Sequence, residues 1–141
     1  MKAVFAGLLL LAAAQPAVVA AAPTIPLTIR GSHMRHFRVE TAATPESQER
    51  GLMYRKYMPA DQGMIFPMEP PRPATFWMKN TYLPLDIIFI GPDHRIISIA
   101  ARAKPLSEDL IPCPQPVAAV LELNGGVAAK QGIKPGDVVE W

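Results

Sequence analysis

Lys79, Asn80 and Thr81 stand between Phe76-Trp77-Met78 and the apolar run Ile87–Ile90, with Asp86 at the head of that run. An ammonium set beside tryptophan and apolar chain must reach either water or a partner. Asp86 is the nearest partner of opposite charge in sequence. Together the two could grip a polar or anionic ligand; in a hydrolase or lyase, Asp86 would be the base and Lys79 the electrostatic stabiliser. Asn and Thr also hydrogen-bond nearby backbone, so the same residues make a good structural corner. A second cationic group lies upstream, where Arg50, Arg55 and Lys56 bracket Gly51-Leu52-Met53. An arginine fork there suits a carboxylate or phosphate. The candidate ligand-binding set is therefore Trp77, Met78, Lys79, Asn80, Thr81, Asp86 and Arg55.

Other chemistries find little support. Five methionines, Met53, Met58, Met64, Met68 and Met78, raise monovalent copper, but their spacing makes no dense repeat and methionine is a common core filler. His33 and His36, three apart on an extended chain, point to opposite faces. With one cysteine and no His-Glu-x-x-His helix, no zinc site is expected. Ser47, Ser98 and Ser107 have no adjacent base and no nucleophile elbow. Paired acids for glycoside chemistry, such as Asp86 with Glu69 or with Glu108-Asp109, have no separation readable from sequence. Cys113 sits between prolines with no neighbouring base to lower its pKa. Gly125-Gly126 is by default a tight turn. No metal or cofactor is expected.

The 141 residues carry a formal net charge of +2 with no run of like charges, so nucleic acid and anionic membranes are not expected partners. Residues 1–22 read as an export signal: Lys2, an apolar stretch from Ala3 to Ala14, then Ala20-Ala21-Ala22 for cleavage. That stretch is shorter than the ~20 residues of a spanning helix. The expectation is a periplasmic or secreted protein with no membrane span after cleavage. The remainder is one domain, large enough to bury about two-thirds of its unfolded surface without disulfides.

Residues 23–34 form an extended lead-in and first strand, in which Gly31-Ser32-His33-Met34 looks like a tag scar yet is flanked by strand on both sides. Leu27–Arg30 and His36–Thr41 read as paired strands. Thr44-Pro45-Glu46 starts a helix of about two turns that Gly51 ends. Met64–Phe66 is a short buried strand. Pro67–Pro73 holds four prolines, which argues against a central strand, and Lys104–Pro116 reads as a loop. Phe76–Lys79, Asp86–Ile90, Arg95–Ala100 and Val117–Leu123 are further strands, the middle two a hairpin across Gly91–His94. Val127–Gln131 is a short helix, Lys134–Asp137 a type II turn, and Val138–Trp141 the closing strand. This is a mainly β protein, a single antiparallel sandwich or barrel with one or two short helices.

The series Arg50-Gly51-Leu52-Met53-Tyr54-Arg55, Gly63-Met64-Ile65-Phe66, Phe76-Trp77-Met78-Lys79-Asn80-Thr81, Pro84–Ile90, Val120-Leu121-Glu122-Leu123 and Gly132–Val139 resembles the bacterial and archaeal family called domain of unknown function 192, from about Arg35 to the end. The resemblance implies a compact, mostly antiparallel β-domain of sandwich type, frequently exported. It implies no activity, so no catalytic residue follows from it. The functional expectation is a non-enzymatic domain that binds a small polar or anionic ligand, or a partner segment, at the Trp77–Asp86 corner. An enzyme, a copper handler and a purely structural or assembly domain are the alternatives.

Overall fold

Five of the six residues in Leu85–Ile90 are apolar, and a run this apolar has to be covered on both faces. All six are buried, and the segment forms one of the inner strands of a seven-stranded sheet. The computed structural model describes residues 21–141. The export-signal reading, on residues 1–22, therefore lies almost wholly outside the described residues.

In chain order the elements are β1 (Ile25–Arg30), β2 (Met34–Thr41), α1 (Pro45–Arg50), β3 (Gln62–Phe76), β4 (Leu85–Ile90), β5 (Ile96–Ala103), β6 (Ile111–Asn124), α2 (Val127–Gln131) and β7 (Val138–Glu140). The sheet order is β5-β4-β6-β3-β2-β1-β7. It curls toward a barrel, and its two outer strands approach where Arg95 bridges Val138. The mainly β architecture with two short helices is the one expected. One pair departs from the antiparallel expectation: β2 and β3 run parallel, Val39 opposite Gly63. Parallel neighbours need a long crossover, here the segment between Thr41 and Gln62 that contains α1.

Thr44 caps α1 as anticipated: its Oγ1 accepts from the Ser47 amide at 3.1 Å, while Ser47 Oγ accepts from the Thr44 amide at 2.9 Å. The proline-rich segments correct the sequence reading. β3 continues through Pro67–Pro73 to Phe76, and β6 begins at Ile111 rather than Val117. The physical reason is that β2 pairs with β3 only as far as Ile65. Beyond it β3 is hydrogen-bonded on one side, to β6, and register breaks between Pro67 and Ala74 absorb the missing amides. The predicted strand Phe76–Lys79 is also corrected. The ladder stops at Phe76, and the chain turns at Asn80, whose φ is +52°.

Alternation along β4 feeds two cores. Ile88 and Ile90 join Leu27, Ile29, Phe37 and Val39 inside the curl, whereas Leu85, Ile87 and Phe89 meet Phe66, Met64 and Val120 beneath the crossover. Gly63 leaves no room for a side chain: a Cβ there would sit 2.4 Å from the Glu122 carbonyl oxygen. Gly63→Ala is expected to cost about 1–3 kcal/mol, read as a lower urea midpoint at unchanged m-value. No helix of the described residues is long and apolar enough to cross a membrane.

Candidate functional site

Period-two alternation puts Leu121 and Leu123 of β6 in the inner core and sends Val120 and Glu122 to the opposite face. Glu122 is thus an acid in an apolar row, with Met64 of β3 and Ile87 of β4 as its cross-strand neighbours. It is only 5% exposed. Burial pushes its carboxyl up to about 8, with neither a hydrogen bond nor a neighbouring charge contributing. The group lines a cavity of about 220 Å³ whose wall includes Leu52, Met68, Phe66, Phe76, Trp77 and Thr81. Phe66 and Phe76 meet edge to face, centroids 5.1 Å apart.

The roof comes from α1 and from the corner after β3. No residue of α1 is buried, but Gln48 Nε2 donates to the Ala42 and Pro67 carbonyls at 3.0 and 2.9 Å and holds the helix over the sheet. Gly51, at φ +46°, lines the cavity and turns the chain back over it. Beside this cavity is a wider groove of about 380 Å³ bordered by Tyr54, Lys79 and Asn80; Glu49, Arg50, Met53 and Trp77 line both. Three non-glycine residues with positive φ gather here, Tyr54, Asn80 and Leu106. Their loops are tied together, Tyr54 N–H to Asn80 O at 2.8 Å and Leu106 N–H to Thr81 O at 3.0 Å. Backbone held in sparsely populated regions concentrates at binding and switch sites.

The residues singled out from sequence divide into three groups. Trp77, Lys79 and Asn80 border the groove, and Thr81 lines the cavity. Met78 is 1% exposed and belongs to the core. Asp86 and Arg55 are placed elsewhere. The Asp86 carboxylate, fully buried, accepts from the amides of Arg102 (2.8 Å), Gly126 (3.0 and 3.1 Å) and Ala128 (2.8 Å), pinning the start of α2 to β4 and β5. It is not the partner of Lys79, whose ammonium lies 3.7 Å from Glu108 and 5.0 Å from the Trp77 ring centroid. The hydrolase or lyase reading built on Asp86 and Lys79 loses its geometry. Arg55 forms a two-pronged ion pair with Glu40, whose hydrogen bonds raise the arginine's pKa further; it braces the crossover against β2.

The cation that does face both cavities is Arg50. Glu122 was the residue missed. Its signal was present: an acid on the period-two face of Val120 in the otherwise apolar run Val117–Leu123. Met58, Met64, Met68 and Met78 pack in the outer core, and among the described residues no three His, Cys, Asp or Glu side chains gather as a metal site.

Comparison with known proteins places this geometry in a family. Residues 26–141 match the model of domain of unknown function 192, described as "Uncharacterized ACR". The match begins inside β1, earlier than the expected Arg35. No curated protein matches. A crystal structure of a protein of unknown function from Novosphingobium aromaticivorans is similar at TM-score 0.84 and 49% identity, over 92% of this chain and 91% of that one. Another, from Sinorhizobium meliloti, is of a protein whose description suggests a transcription regulator; it is similar at TM-score 0.82 and 41% identity, over 86% of this chain and 95% of that one. The chain belongs to the domain of unknown function 192 family.

Proposed function

We propose that this is an exported, non-enzymatic domain that binds a small polar ligand in the cavity above Glu122, entered through the groove at Trp77, Lys79 and Asn80. The observation that carries the reading is the Glu122 carboxyl, desolvated on the floor of a cavity with no protein hydrogen bond to compensate it. A carboxyl largely stripped of water and without a protein partner is held at a cost, and a ligand that supplies the partner recovers part of it. The strained Tyr54–Asn80–Leu106 loops at the mouth add to it. Export is compatible with the fold, because β1 starts at Ile25, just past the expected cleavage point at Ala22. Regulation of transcription is said of the Sinorhizobium protein; this chain, at net charge +2 without a basic cluster, has no field suited to DNA.

A thermal-shift screen of small metabolites and cell-wall fragments tests the proposal. Hits are expected to weaken roughly tenfold in Trp77→Ala, whose ring leaves the shared wall, while the variant stays folded. Hits indifferent to both Trp77 and Glu122 would place binding elsewhere and overturn it.

A further inference from the structure

We infer that the ligand of this cavity is a small organic cation, a primary ammonium on a short apolar body, with the ammonium seated on the Glu122 carboxylate. This rests on the binding role proposed above and names its ligand class. Three features of the site point to it. The floor offers one acid and no basic group: the charged residues lining the cavity from the elements around it are Glu49 and Arg50 of α1 and Glu122 itself. The contributions of β3 and of the corner, Phe66, Met68, Thr75, Phe76, Trp77 and Thr81, are uncharged, as are Met64 and Ile87 beside Glu122 in the sheet. Glu49 and Arg50 are exposed at the mouth, one of each sign.

The wall chemistry agrees. Thr81 directs its hydroxyl to the Lys79 carbonyl at 3.0 Å, so it is not aimed at the carboxyl. Phe66, Phe76, Trp77 and Met68 provide an apolar, polarisable lining, which suits an alkyl or aryl body and attracts a cation more than an anion. An anionic ligand would find no cation on the floor to offset its charge, only the Glu122 carboxyl, which loses its proton as pH rises. The cavity's 220 Å³ is below the usual range of drug-sized sites, about 300–1,000 Å³, so the body is small.

In the free protein near pH 7 Glu122 holds its proton, because burial has raised its carboxyl to about 8. A protonated amine entering the cavity keeps its own proton and donates to the carboxylate, and the Glu122 proton leaves to solvent. Binding at pH 7 therefore releases most of a proton per ligand, and affinity for an amine that stays charged rises with pH until Glu122 is ionised in the free protein.

The test uses n-butylamine and benzylamine, with n-butanol, benzyl alcohol, butyrate and benzoate as matched neutral and anionic probes. Titration calorimetry at pH 7 in two buffers of different ionisation enthalpy counts protons. The expected result is that the amines bind, release close to one proton, and lose roughly 10–100-fold in affinity in Glu122→Gln. Circular dichroism and thermal unfolding confirm that this variant is folded. Amine binding that survives Glu122→Gln, or that takes up protons, would overturn the inference. Binding of the alcohols or carboxylates alone, sensitive to Trp77→Ala, would overturn the cation assignment while leaving the binding role standing. Absence of binding by all six probes would overturn the assignment, and the metabolite screen with Trp77→Ala then decides the binding role separately.

Discussion

Glu122→Gln is expected to make the ligand-free protein more stable above neutral pH, not less. The carboxyl stands at about 8 in the folded protein against an ordinary 4.5, so the folded state holds a proton that the unfolded state gives up. Stability linked to this group is complete below about pH 4.5, falls as pH rises from there to about 8, and is level beyond. The shift corresponds to roughly 5 kcal/mol at the alkaline end. Glutamine has nearly the same volume and does not ionise, so the fall should vanish. Urea unfolding at pH 5, 7 and 8.5 checks it: the parent should lose several kcal/mol across the series and the variant almost none from this source. Parallel pH profiles for the two proteins would show that the carboxyl is not desolvated as the fold implies. A substitution that stabilises the chain while removing ligand binding marks a residue kept for function.

Asp86→Ala is expected to have the opposite and comparably large effect. Four hydrogen bonds from three amides converge on a fully buried carboxylate, and they join α2 to β4 and β5. Alanine would leave the Arg102, Gly126 and Ala128 amides without their acceptor in a fully buried site. The expected loss is about 3–5 kcal/mol. Asp86→Asn should fall between, because its one remaining carbonyl oxygen still accepts while its NH₂ group faces donors. Equilibrium unfolding gives the totals, and hydrogen exchange at Gly126 and Ala128 locates the damage. Fast exchange confined to α2 and the end of β5, with the rest of the sheet protected, is the anticipated pattern. An Asp86→Ala protein as stable as the parent would remove the capping role.

Both residues were visible in the sequence, and their roles differ from what local reasoning suggests. Asp86, at the head of an apolar strand and seven positions after Lys79, looked like half of an ion pair. Its actual partners include amides about 40 residues away in sequence, at Gly126 and Ala128, which reach it because β4 pairs with β6 and α2 follows β6 directly. Glu122 stood only as one letter in the Val120–Leu123 series that carries the family resemblance. Its parity with Val120 was readable, but the cavity above it was not. That space exists because α1 and the Trp77–Thr81 corner, separated by the whole of β3, close over the same face of the sheet. The proline segments failed for a related reason. Whether a strand tolerates proline depends on which side lacks a neighbour, and that is a property of the sheet.

What the chain determines by itself is local. Residue spacing and turn chemistry specified a mainly β domain with two short helices, the Thr44 cap, the hairpin at Gly91–His94, the left-handed Gly136 and a polar corner at Lys79–Thr81, because each depends on neighbours a few positions apart. Tertiary structure decided which acid faces a cavity and which is consumed by backbone amides. The reason is that desolvation and hydrogen-bond supply depend on elements packed in space, and these bring β6, α1 and the corner into one site while turning Asp86 away from it.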